Sequence, residues 1–138
     1  WVENCCLFQH VSHLRREVTF HSSRFDLAFC ENERQTFMEV KGVTLENNGI
    51  ASFPDAPTLR GVKHIEELCR AAREGFGASL LFVIQMKGIH AFTPNEGTHP
   101  EFAEALRDAS RQGVHLMAFD CLITPDSIQI DQEIPILL

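Results

Sequence analysis

No C-x-x-C pair occurs among the five scattered cysteines, Cys5, Cys6, Cys30, Cys69 and Cys121. An odd, irregularly spaced set argues against a disulfide framework and fits a reducing, intracellular compartment. Long apolar runs are missing as well. The longest, Leu80 to Ile84, is a strand's length and far short of the ~20 residues a bilayer span requires. No charged segment followed by an apolar one opens the given sequence. Repeats, low-complexity segments and Pro/Gly-rich linkers are absent. Basic residues are few, 12 against 19 acidic, for a formal net charge of −7. That balance disfavours gripping nucleic acid by bulk charge and leaves open a local site that uses a bridging cation. Tyrosine is absent beside eleven phenylalanines, for which we have no physical account.

What remains is ordinary globular material: 138 residues, 44% hydrophobic and 22% charged, the size of one domain with one core. The first residue is Trp1 rather than Met, which suggests a fragment, with residues 1–14 a remnant of a linker or N-terminal region and residues 15–138 the domain. Alternation predicts strands over Arg15–Phe20, Arg24–Cys30, Thr36–Leu45 and Gly49–Phe53. Apolar spacing predicts a helix over Thr58–Glu74, stopped by Gly75 and Gly77, then a strand over Ala78–Gln85 buried on both faces. A short strand at His90–Thr93 follows. Thr98 and Glu101 form a T-x-x-E capping box for a helix running to about Arg111. Val114–Ile123 and Ser127–Leu138 read as closing strands, the last on an edge because of Pro135. The order predicts an α/β fold, a mixed β-sheet flanked by helices, in which the first helix crosses over to set Ala78–Gln85 beside the opening hairpins.

The hairpin arithmetic places chemistry. With Asn32 and Glu33 as the turn, facing residues have numbers summing to 65, which makes Asp26 and Glu39 direct neighbours. Phe25 then faces Val40 and Leu27 faces Met38 on an apolar side, while Arg24, Asp26, Glu39 and Lys41 share the other. Two carboxylates ~5 Å apart repel by roughly 3 kcal/mol at an effective dielectric of about 20. Either one acid titrates at a raised pKa or a cation sits between them. A hard ion such as Mg²⁺ or Mn²⁺ suits Asp26, Glu39 and a backbone carbonyl at Val40, with Lys41 placed to orient a water or stabilise phosphoryl charge. In chemical terms this is a site for metal-assisted phosphodiester hydrolysis. The plainer reading is a solvated face of ordinary ion pairs, since E-x-K recurs by chance.

Those residues resemble the PD-(D/E)xK nuclease-like superfamily, with Phe25–Asp26 at the first half of its motif and Glu39-Val40-Lys41 at the second. More specifically, the chain resembles the C-terminal domain of the sugar fermentation stimulation protein family. The matching segments are LRREV (Leu14–Val18), SRFD (Ser23–Asp26), MEVKGVTL (Met38–Leu45), FPDAPTLRGVKHIEEL (Phe53–Leu68) and EFAEALRDASRQGV (Glu101–Val114). The resemblance implies a restriction-endonuclease-like core, a bacterial cytoplasmic location, and DNA binding linked to regulation of sugar metabolism. It also implies an N-terminal OB-like domain outside this sequence. Catalysis would fall to Asp26, Glu39 and Lys41. Relatives usually carry Asp where this chain has His99, before Pro100.

Other residues attach to this reading. Arg60, Lys63, His64 and Glu67 share one helix stripe opposite the apolar one; it is either a solvated face of Glu–Arg pairs or a face turned to the carboxylate site, where Arg60, Lys63 and His64 are candidates for holding phosphate. Glu17 is a candidate third acid, opposing Asp26 if the His21–Ser22 turn has two residues. Asp55, in a proline-bracketed turn, suits a turn role first and a metal role second. Gln85 could bond a metal-bound water or Lys41. Cys5, Cys6, His10 and His13 match no zinc spacing, and no organic cofactor is expected. Three functions follow: a Mg²⁺- or Mn²⁺-dependent nuclease on DNA or RNA, a DNA-binding regulator that keeps the fold without cleaving, or a homodimerisation module.

Overall fold

The computed structural model describes residues 1–138. Three strands open the sheet: β1 (Val11–Phe20), β2 (Ser23–Glu31) and β3 (Arg34–Val43). Asn32 and Glu33 turn between β2 and β3 with φ of 48° and 69°, the left-handed pair that a two-residue hairpin needs. The register that results pairs Leu27 with Met38 and Ala28 with Phe37, numbers that sum to 65. The His21–Ser22 turn also has two residues, setting Phe20 opposite Ser23. β1 starts four residues earlier than alternation suggested and is irregular. Its register shifts between Ser12 and Arg15, and His13 and Glu17 have positive φ. Such bulges blunt an exposed edge against pairing with another chain.

After β3 the strand expected over Gly49–Phe53 forms as β5 (Ile50–Phe53), and it pairs in a hairpin with β4 (Leu45–Asn47), which alternation did not show. Helix α1 (Leu59–Arg73) follows, capped by the Thr58 hydroxyl, which accepts from Gly61 N–H at 2.9 Å. It carries the chain across to β6 (Gly77–Ile84), which lies parallel to β3. Next come β7 (Ala91–Pro94), α2 (Pro100–Arg111), β8 (His115–Thr124) and β9 (Ser127–Glu133). The main sheet runs β1-β2-β3-β6-β8-β9, and β4-β5-β7 form a small second one. The parallel centre with antiparallel hairpins at both edges is the mixed sheet expected, and the fold is nuclease-like.

α2 corrects the capping-box expectation. Its N-cap is His99, with Pro100 in the first turn and no side-chain cap bond. The buried His99 ring instead accepts the Thr58 N–H at 3.1 Å, so it fixes the start of α1 rather than of α2. β9 stops at Glu133, and the residues beyond Pro135 leave the main sheet to bridge Phe92 through Ile136.

Two apolar layers hold the sheet. The larger lies under the helices, where Phe82 stacks on Phe92 at 4.2 Å and Ile65, Leu68, Phe102 and Leu106 are fully buried. The smaller lies on the opposite face, where Trp1, Val2 and Phe8 from the first ten residues pack over Phe29, Met38 and Met117. Phe25 departs from its expected side. Leu27, Met38 and Val40 belong to this second layer, but Phe25 joins Phe20 and Phe37 under α1. Strand alternation therefore breaks beside Asp26.

Candidate metal and phosphate site

The break is where the site forms. Pairing between β2 and β3 ends at Leu27 and Met38. One residue further, the Asp26 carboxylate replaces the backbone, its Oδ2 accepting the Val40 N–H at 2.7 Å. A strand residue's N–H and carbonyl point to the same side, so the Val40 carbonyl also faces the gap toward β2. Glu39 and Lys41 share the opposite face of β3 from Met38 and Val40, and they project beneath α1.

Glu39 is only 3% exposed. Burial pushes its pKa up to about 8, helped by its hydrogen bond to Asp26 and opposed by the charge of Lys41. The acid repulsion inferred from the hairpin register is thus relieved by a proton on Glu39. His64 Nδ1 lies 3.2 Å from Lys41 Nζ and 2.5 Å from Glu39 Oε2. Burial, with Lys41 and Arg60 adding repulsion, lowers the His64 pKa to about 4. Near neutral pH both Glu39 and His64 are uncharged, so their close approach is not an ion pair. It is not a hydrogen bond either, and Glu39 Oε2 is a buried oxygen without a hydrogen-bond partner. Burial also lowers the Lys41 pKa, against the pull of Glu39 and Asp26.

An unpartnered buried carboxylate oxygen, a second carboxylate beside it and a carbonyl facing the same gap fit a hard divalent cation. The donor set is small. No group of three or more His, Cys, Asp or Glu side chains is arranged to hold an ion, so the remaining positions would fall to water or substrate.

The other sequence candidates fall differently. His64 faces the carboxylates rather than solvent: it is buried, 6% exposed, against Glu39 and Lys41. Arg60 and Lys63 are exposed, and Lys63 Nζ donates to the Ser22 carbonyl at 2.9 Å. Glu17 stands opposite Asp26 in register, but it is exposed, with φ of 52° at an interruption of the β1–β2 ladder. Asp55 is exposed and its carboxylate makes no hydrogen bond, so it does not close its turn as expected. Gln85 lies over Gly42, its Nε2 2.7 Å from where a Cβ there would stand. Gly42 alternates with Lys41, so that amide is on the other face of β3 and away from the carboxylates. Sequence reasoning missed Ser23, whose buried hydroxyl has no partner. Only its adjacency to Arg24 in the SRFD segment could have pointed to it.

Comparison with known proteins agrees with this architecture. Residues 2–127 match the model of the sugar fermentation stimulation protein RE domain. A sugar fermentation stimulation protein homolog of Desulfitobacterium hafniense (strain Y51) is 49% identical over 138 residues, covering all of this chain and 60% of that protein. The Ruminiclostridium cellulolyticum homolog is 46% identical, with 100% and 61% covered. The chain thus spans about three fifths of the length of these relatives. A solved structure described as Pyrococcus furiosus SfsA in complex with Ca²⁺ superposes with a TM-score of 0.87 at 28% identity, covering 93% of this chain and 56% of that one.

Proposed function

This chain belongs to the sugar fermentation stimulation protein family, and from that premise we propose that it is a divalent-metal nuclease domain that hydrolyses phosphodiesters in DNA or RNA. The observation that carries the reading is the interrupted ladder. Asp26 takes the Val40 N–H, and the buried Glu39 oxygen beside it is left without a partner, within reach of the Lys41 and His64 cluster. The Ca²⁺ named with the P. furiosus relative supports a cation in this family's fold, with Mg²⁺ or Mn²⁺ as the working ion here.

Asp26 and Glu39 would hold the ion with the Val40 carbonyl. The ion would supply positive charge at the phosphoryl oxygen and acidify a bound water. Lys41, steadied by the neutral His64, would orient the attacking water and offset charge building on the phosphate. Glu39 must give up its proton before it can ligate. Arg60 and Lys63, on the turn of α1 that carries His64, would meet the flanking strand. In the whole protein an OB-like domain would add affinity for nucleic acid.

The test is cleavage of labelled single- and double-stranded DNA and RNA with Mg²⁺ or Mn²⁺. Wild type should cleave, and Asp26→Ala should lose cleavage with its thermal transition intact. No cleavage of any substrate with either ion, alongside salt-dependent DNA binding, would instead establish the non-cleaving regulator.

A further inference from the structure

The β1–β2 turn and the first turns of α1 enclose a second feature. A pocket of about 400 Å³ is lined by Ser22, Ser23, Arg24, Arg60, Lys63 and His64. Three cations meet there, and none has a carboxylate within ion-pair distance. The lysine and arginine ion pairs of the chain all belong to Lys87, Arg107 and Arg111, on the β6–β7 loop and α2. Lys63 is tied to the Ser22 carbonyl, which braces the turn against the helix. Glu67, which accepts from the Ser22 hydroxyl at 3.4 Å, lies outside the lining.

Ser23 is the second, independent observation. It is 4% exposed, it lines the pocket, and its Oγ has no hydrogen-bond partner. A buried hydroxyl is ordinarily satisfied, so an orphaned one beside three uncompensated cations marks a place for an anion that accepts hydrogen bonds. His64 forms a common wall with Glu39 and Lys41. The pocket therefore adjoins the carboxylates without containing them.

We propose that this pocket is a second phosphate subsite, where Ser23, Arg24, Arg60 and Lys63 grip a nucleic-acid phosphate neighbouring the one held at Asp26 and Glu39. It rests on the reading of the chain as a nuclease domain, and it adds where the substrate strand lies. The phosphate is either an internal linkage or a strand's terminal phosphate.

The experiment measures binding of a fluorescent single-stranded oligonucleotide to the whole protein in chelator, where the carboxylate site plays no part. Arg24→Ala/Arg60→Ala should weaken binding at least tenfold and flatten the log K against log salt slope by roughly 0.7, the share of one neutralised phosphate on a single strand. Neutral methylphosphonate linkages placed one at a time should reveal one position that costs the wild type about tenfold and costs the double variant nothing. If a 5′-phosphate on the oligonucleotide reproduces that difference instead, the subsite holds a terminal phosphate. Ser23→Ala should weaken binding severalfold without loss of stability. The subsite is overturned if the double variant or Ser23→Ala binds as wild type does, or if no phosphate shows the difference. Failure of the nuclease reading is a separate result: these binding effects would persist while no metal supports cleavage.

Discussion

A divalent cation entering between Asp26 and Glu39 should expel nearly one proton at neutral pH. Burial, and then the hydrogen bond to Asp26, hold Glu39 at about 8, and a ligating carboxylate must first lose that proton. Such a group is roughly 0.9 protonated at pH 7 and roughly 0.25 protonated at pH 8.5. The protons released per ion should fall between those values over that range. Apparent affinity for Mg²⁺ should climb about tenfold per pH unit from 6 to 7.5 and level off above 8. The charged and titratable groups facing Glu39 are Asp26 from β2, Lys41 on its own strand, and His64 from α1 with Arg60 behind it. His64 is neutral above about 4 and releases nothing in this range. Isothermal titration in two buffers of different ionisation heat counts the protons directly. Glu39→Gln, which has no proton to lose, should release none and should lose the pH dependence. A wild-type heat that is the same in both buffers at pH 7 would mean that Glu39 is ionised before the ion arrives, and would refute the reasoning.

Without metal, the same groups shape stability. Glu39 has a folded pKa raised from 4.5 to about 8, so its contribution is fully present below 4.5 and is lost as pH rises through 8. His64, lowered from 6.5 to about 4, contributes above 6.5 and loses that contribution as pH falls through 4. The two slopes cancel between 4.5 and 6.5, and from 6.5 to 8 stability should fall by roughly 2 kcal/mol. Urea midpoints in chelator should drift down over that range for wild type and stay flat for Glu39→Gln. Gly77→Ala should cost roughly 1–3 kcal/mol, because a Cβ there would stand 2.2 Å from the Thr36 hydroxyl, and Thr36→Ala should recover part of the loss in a double-variant denaturation cycle. His99→Ala should cost roughly 1–3 kcal/mol by leaving the Thr58 N–H without its acceptor. Unchanged thermal stability would show that water replaces the ring without loss.

The parts of the fold legible in the sequence are those set by short-range rules. Asn32 and Glu33 fixed the hairpin register to the residue, and the three- and four-residue apolar spacing marked both helices. The parts that were not legible depend on contacts across the chain. A capping box at Thr98 gave way to His99 because Pro100 takes the first helical turn and the ring serves α1 instead. The β4 strand has three exposed residues and no alternation to show. For the candidate site, period-two counting brought Asp26, Glu39 and Lys41 to one region, but it assumed a ladder that continues past Leu27. Because the ladder stops there, Phe25 changes layers and the Asp26 carboxylate takes the Val40 N–H, and neither event leaves a local trace.

The Val40 amide has an unusual custodian. In an ordinary sheet its hydrogen would be held by a neighbouring peptide, indifferent to solutes; here it is held by a side chain that would also serve as a ligand. Anything that draws electron density from that carboxylate should move this one backbone resonance first. A single peak in a nitrogen–proton spectrum could then serve as a native gauge of occupancy, with no label or substrate added.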